Sequence, residues 1–199
     1  MKKLPPKFQI GIDEVGRGPL AGPVAVGAVF ASKRILRNFR NIKESKQLTP
    51  LAREEWLQKM EALIGDELCI AVSMVSAKMI DRIGIAPSIR NALARCLEKL
   101  DVNANDCQVL LDGGLYAPEH YTNQRTIIRG DTSQTIIAMA SVAAKVHRDR
   151  YMIRLHKKYP LYGFDIHKGY GTRKHMDALK AHGLSDMHRV SFCNFLKNS

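Results

Sequence analysis

The chain has 199 residues, 45% apolar and 25% charged, which suits one domain with a sizeable core and excludes wholesale disorder. Lysine and arginine number 31 against 19 acidic residues, and the resulting +12 points to a polyanionic partner, nucleic acid first. The four cysteines show no CxxC spacing, so reduced thiols in a cytoplasmic protein are expected; no stretch is long enough to span a membrane, and the basic opening at 1–8 lacks the apolar core of a secretion signal.

Residues 8–12 are an apolar run that reads as a buried strand, followed by Asp13, Glu14 and then Gly16-Arg17-Gly18. Side chains alternate faces along a strand, so both acids serve one site only if the strand ends or bulges there, which the glycines would permit. Taken alone, the pair reads better as an acidic turn neutralised by Arg17, since such turns are common. Residues 23–31 form a second apolar, β-branched run, expected to pair with the first as a hairpin. Residues 33–46 are basic and polar and read as a loop. Thr49 and Pro50 start a helix reaching about residue 64, threonine as cap and proline in the first turn. A third strand follows at 68–75 and a short helix at 76–83. The next helix, at 87–100, is amphipathic, with Ile89, Leu93 and Leu97 on one face.

The short strand at 109–111 ends on Asp112 before Gly113-Gly114, and another at 126–128 runs into Arg129-Gly130-Asp131. Thr132 and Ser133 are expected to cap the longest helix, which reaches about residue 158. Its alanines at 138, 140, 143 and 144 would allow close approach to a sheet. From 163 the chain is rich in His, Lys and Arg, with two more helical segments, and reads as a cover on the same domain.

Three strands thus end on acids beside glycine, and strand ends gather along one edge of an α/β sheet, where ligands bind. Asp112 alone could be a turn former and Asp131 alone a helix-start acid. Together with Asp13 and Glu14, in so basic a chain, they fit a divalent-cation site facing a phosphate backbone, and hard oxygen donors suit Mg²⁺ or Mn²⁺. The seven histidines show no HxH or HExxH spacing, which argues against zinc. His167 is expected to shape a loop. Neither a Ser–His–Asp set nor a phosphate loop can be picked out, and Gly16-Arg17-Gly18 misses the GxGxxG spacing.

The motifs GIDEVGRGPLAGPV at 11–24, ESKQLT at 44–49, LLDGG at 110–114, RGDTSQTIIAMASVAAKVHRDR at 129–150, YGFDIHKGYGTRKH at 162–175 and HRVSF at 188–192 resemble the bacterial type 2 ribonucleases H, ribonuclease HII, over nearly the whole chain. Ribonuclease HIII is a poorer match, since it lacks the Gly-Arg-Gly and carries an extra N-terminal domain. Two departures stand out: Glu44-Ser45-Lys46-Gln47 for the family's Asp-Ser-Lys-Lys, and Arg129-Gly130-Asp131 for Lys-Gly-Asp.

The resemblance implies an α/β, RNase H-like fold: a central mixed β-sheet flanked by helices, with a helical C-terminal extension at about 163–199 contributing to substrate binding. It implies one catalytic domain over 1–199, acting as a monomer. The implied activity is cleavage of the RNA strand of RNA–DNA hybrids, and of duplex DNA 5′ of embedded ribonucleotides, leaving 3′-hydroxyl and 5′-phosphate ends. Asp13, Glu14, Asp112 and Asp131 would be the metal-binding catalytic carboxylates, holding two Mn²⁺ or Mg²⁺ ions about 4 Å apart. Gly16, Arg17 and Gly18 would bind substrate. Lys46, Lys145, Lys168 and Arg189 are candidate phosphate contacts, against the alternative of solvated surface charge. Tyr170, between two glycines, offers an aromatic face to a sugar or base. Two other readings stay open on residues alone: an RNase H-like nuclease acting on DNA, and a non-catalytic nucleic-acid-binding module.

Overall fold

The computed structural model describes residues 7–195; the start of the basic opening, 1–6, and the last four residues of the expected cover, 196–199, lie outside them. Five strands form one sheet: β1 (Phe8–Val15), β2 (Val24–Ser32), β3 (Leu68–Val75), β4 (Cys107–Asp112) and β5 (Gln124–Ile127), in the order β3-β2-β1-β4-β5. β1 pairs antiparallel with β2, and β2 antiparallel with β3, while β1–β4 and β4–β5 are parallel. The expected mixed sheet and its opening hairpin are both present. Every residue of β2 is buried, so that strand reads as a continuous apolar run rather than an alternating one.

The helices are α1 (Lys33–Leu36), α2 (Pro50–Glu61), α3 (Ala77–Ile83), α4 (Ile85–Leu100), α5 (Gly130–Ser133), α6 (Thr135–Lys158), α7 (Phe164–His167) and α8 (Arg173–His182). On one face of the sheet, Ile10, Ile12, Val109 and Leu111 pack against Ile89, Leu93 and Leu97 of α4, the stripe read from the sequence. The other face carries α2, through Leu57 and Met60, and α6. α6 lies unusually close to the sheet because two strand glycines leave it room. A Cβ on Gly11 would fall 2.2 Å from the Ile136 carbonyl oxygen, and one on Gly27 would fall 2.5 Å from that of Ala140. Beyond the sheet, α6 continues into a third cluster in which Met152 and Leu155 meet Tyr162, Phe164, Leu179 and Ala21. The C-terminal elements are therefore packed on the loop that follows β1.

Thr49 caps α2 by accepting from the Ala52 amide, with Pro50 in the first turn as expected. Three local expectations are corrected. The 33–46 stretch is not loop throughout: Ser32 accepts from the Ile35 amide to start α1, and 3₁₀ turns follow at Arg37–Phe39 and Ser45–Gln47. Ile35, Phe39 and Ile42, spaced as on a helical face, are its buried anchors among exposed basic residues. The next helix starts at Ile85, two residues before the expected start. Thr132 and Ser133 do not cap the longest helix. Their hydroxyls donate back to the Arg129 carbonyl, α5 stops, and α6 begins only after an extended Gln134.

Candidate active site

β1 delivers two acids without breaking. Its pairing with β2 runs on through Asp13↔Gly27, Glu14↔Val26 and Val15↔Ala25. The expectation that the strand must end or bulge there is therefore corrected. The parallel pairing with β4 stops at Ile12↔Leu111, so beyond that point β1 overhangs its neighbour. From this overhang Asp13 and Glu14, on alternate faces, both reach one cleft of about 610 Å³. Gly16, Arg17, Gly18, Asp112, Asp131, Lys46, Lys145 and Tyr170 line the same cleft.

Asp112 closes β4 and organises α5. Its Oδ1 accepts from the Gly130 amide at 2.7 Å and the Asp131 amide at 3.4 Å, which sets Asp131 beside it. Arg129 takes a left-handed conformation (φ 54°) to make that turn. A Cβ on Gly130 would meet the end of the Ile137 side chain at 2.5 Å, so a larger residue there would have to displace it. On the other side, the Glu14 amide donates to Asp13 Oδ1 at 2.8 Å, and Arg17 pairs with Glu14 at 3.5 Å.

Asp13 is 6% exposed. Burial pushes its pKa up to about 8; the Ser141 hydroxyl pulls it down, and the charges of Glu14, Asp112 and Asp131 push it further up. Glu14 is also raised by burial, with Arg17 opposing. Among the described residues no three His, Cys, Asp or Glu side chains are already closed into a cation cage. Amides and Arg17 already occupy some of their oxygens. A carboxyl that burial and three like charges keep protonated lacks a counter-charge, and all four donors are hard oxygens. That set fits Mg²⁺ or Mn²⁺.

Sequence reasoning missed three supports of this cleft. Glu44 faces Asp131, whose charge and hydrogen bond add to burial in raising the Glu44 pKa. Ser141, a lone hydroxyl within the buried alanine run of α6, reaches Asp13 and shares a 2.9 Å hydrogen bond with Ser45. Arg53 donates to the carbonyls of Ser45 (2.7 Å) and Leu48 (2.8 Å), fixing the turn that carries Lys46. Only the polar residue inside an apolar helix face was a readable signal.

The basic candidates separate. Lys46 is exposed on the cleft rim. Lys145 lines the cleft while bonded to Asp149 at 2.8 Å, and burial lowers its pKa. Lys168 lines a neighbouring cleft of about 340 Å³, which Lys145 and Tyr170 share, and its ammonium donates to the Asp165 carbonyl. Arg189 is corrected: it is fully buried and is no phosphate contact. Its segment runs beside the loop after β1, with Gly22 N–H donating to Met187 O and Arg189 N–H to Leu20 O, both at 2.8 Å. That pairing turns the guanidinium inward, where burial and the charge of Arg148 push its pKa down to about 9.

Tyr170 is 40% exposed, and its ring centre lies 5.8 Å from the Arg148 guanidinium carbon. His167 holds the tyrosine's loop from below: Nε2 bonds the Tyr162 carbonyl at 2.7 Å and Nδ1 accepts from the Gly169 amide.

Strand-end acids around one cleft, in a chain of this charge, are what metal-dependent nucleases use, and the chain is a hydrolase of that class. Residues 10–195 match the profile of the family described as Ribonuclease HII. The chain is 41% identical over 192 residues to the Ribonuclease HII of Caldicellulosiruptor bescii, covering 96% of this chain and 88% of that one. Against the Ribonuclease HII of Chlamydia pneumoniae the identity is 42% over 92% of this chain and 81% of the relative. The crystal structure of ribonuclease H2 from Pyrococcus horikoshii OT3 shares the fold at a TM-score of 0.73 and 25% identity, over 96% of each chain. The chain belongs to the ribonuclease HII family, and is a divalent-metal-dependent ribonuclease H acting on RNA–DNA hybrids.

Proposed function

We propose that this protein cuts duplex DNA 5′ of embedded ribonucleotides as well as the RNA strand of hybrids, by two-metal-ion hydrolysis leaving 3′-hydroxyl and 5′-phosphate ends. Asp13, Glu14, Asp112 and Asp131 would hold the metal, with Mg²⁺ and Mn²⁺ both suited to the donors. The observation that carries the reading is Asp13: a buried carboxyl facing three others in an open cleft. Bound there, the ions would polarise the scissile phosphate and make water a better nucleophile.

The chain's own residues choose the bond. The only mark of RNA within DNA is one 2′-hydroxyl, and the Gly16-Arg17-Gly18 backbone lies next to the acids. A ribose held against that backbone presents its own phosphate to the carboxylates. Gly18 has open space where a Cβ would be, so a sugar can approach the main chain there. Tyr170 then stacks on the next sugar toward the 3′ side, where a deoxyribose lets the ring come close. Lys46 at the rim, with Lys145 and Lys168 along the adjoining cleft, contacts the phosphates. We take residues 1–199 as one catalytic domain, monomeric and cytoplasmic, with the part from about 163 covering the substrate.

The test is cleavage of a duplex carrying one ribonucleotide, beside an all-DNA duplex of the same sequence, in Mg²⁺ and in chelator. Expected is one cut, 5′ of the ribonucleotide, only with metal and only in the first duplex. Equal cutting of the all-DNA duplex would favour a DNA nuclease, and binding without any cutting would favour a non-catalytic module.

A further inference from the structure

Between β1 and β2 the chain has no regular structure, yet its carbonyls converge on two buried cations. Arg148, on α6, donates to Pro23 O (2.8 Å), Lys168 O (3.0 Å) and Ala21 O (3.3 Å). Arg189 donates to Gly22 O (3.0 Å), Arg17 O (2.9 Å) and Gly16 O (2.7 Å). Both side chains are 0% exposed, and among the described residues neither pairs with a carboxylate. A buried charge without a counter-ion is costly unless its donors are filled. Here each planar guanidinium fork is filled by main-chain dipoles, which a lysine's point charge cannot match.

The consequence lies on the other side of the same peptides. The C=O and N–H of a trans peptide point opposite ways, and no cis bond is present among the described residues. With Gly16 O and Arg17 O drawn in to Arg189, the amides of Arg17 and Gly18 point away from it. Neither amide has an acceptor among the described residues, and both residues line the acidic cleft. Gly16 is part of the device. Its φ is +85°, and a Cβ would strike Arg148 Nε at 2.2 Å, so a larger residue would unseat the clamp.

We propose that Arg189, supported by Arg148, is a positioning residue for ribose recognition: holding the Gly16 and Arg17 carbonyls inward, it turns the Arg17 and Gly18 amides out to donate to a 2′-oxygen. This rests on the function proposed above and adds how the loop reads the sugar. The loop reads the 2′-hydroxyl as an acceptor, because its own carbonyls are turned inward to Arg189 and its amides outward to the cleft. The clamp extends one step further, to α3: Asp81 accepts from the amides of Val190 (2.8 Å) and Ser191 (3.0 Å), anchoring the segment that bears Arg189.

The test uses Arg189→Lys and Asp81→Asn in the full chain, with kcat and KM on a single-ribonucleotide duplex and the inhibition constant of an all-DNA duplex as competitor. Arg189→Lys keeps the charge and loses the fork, so kcat should fall roughly tenfold or more while KM and the competitor's constant stay put. Asp81→Asn, at the surface, should move kcat in the same direction by less, and it decides the matter alone if Arg189→Lys does not fold. Unchanged kcat in folded variants, or a loss matched by equal weakening of the all-DNA competitor, would overturn the proposal while leaving the proposed function standing. A parent protein that cuts both duplexes alike would overturn that function and this proposal with it.

Discussion

In the metal-free protein Asp13 keeps its proton to about pH 8, because burial and three neighbouring acids oppose its ionisation, whereas an unperturbed aspartate releases it near 3.8. Between those values the folded state binds more protons than the unfolded one. Stability attributable to Asp13 is therefore fully present below the lower value and is lost as pH rises toward the upper one. Thermal unfolding in chelator should show the parent's Tm falling across that window, and Asp13→Asn should flatten the fall. A slope that the variant leaves unchanged would show that the acid cluster does not carry this strain. Tyr170 is expected to matter for chemistry more than for attachment. Tyr170→Ala should lose roughly tenfold in cleavage at a single embedded ribonucleotide, about 1.4 kcal/mol, with duplex binding changed far less. Equal cutting by variant and parent would reduce the ring to packing. At this scale the acids were legible because a strand ending on carboxylates beside glycine is a local pattern. Arg189 was not: HRV reads as surface charge until Leu20 and Gly22 pair with its segment and turn the side chain inward. Glu44 gave no readable sign of its place in the cleft, since its partner Asp131 lies far from it along the chain.

Among the elements, α6 does most to align the cleft, carrying Ser141 toward Asp13, Lys145 into the cleft and Arg148 under the loop. Its depth is set by Gly11, which faces the backbone of Ile136 and Ile137, and by Gly27, which faces Ala140 and Ala144. Gly27→Ala would place a methyl 2.5 Å from the Ala140 carbonyl oxygen. Backbone cannot yield as a side-chain end can, so the variant should be destabilised by about 1–3 kcal/mol in urea unfolding. Parent-like stability would mean that the helix is free to slide outward. The alanine run pointed to this close approach from sequence, because small side chains leave a helix room to approach a sheet. The helix start did not show itself: Thr132 and Ser133 have the chemistry of caps, but Arg129's left-handed turn takes both hydroxyls first. Regular pairing of β1 through Glu14 was likewise unforeseen, since the end of β4, not of β1, exposes the acids.

For the whole molecule, the five-stranded mixed sheet and the helices on both faces were legible, because four of the five strands are built on apolar runs; the short β5, Gln124–Ile127, is the exception. The way the C-terminal part stitches the loop after β1 was not, as it depends on hydrogen bonds between residues far apart in sequence. The net charge of +12 belongs to this scale too. If phosphate contacts dominate, log affinity for a hybrid should fall linearly with log salt, by about 0.9 per phosphate, or about 4 to 6 in all for a handful of contacts. A flat response would assign the charge to something else. The claim on which the rest depends is that the four acids form the catalytic centre. It is tested most directly by the cleavage rate of Asp13→Asn and Asp112→Asn on a hybrid duplex at saturating Mg²⁺, each variant first shown to fold. Loss of an anionic ligand without change of shape should slow cleavage roughly 10³-fold or more, several kcal/mol in barrier. Near-parental turnover in either variant would contradict the assignment.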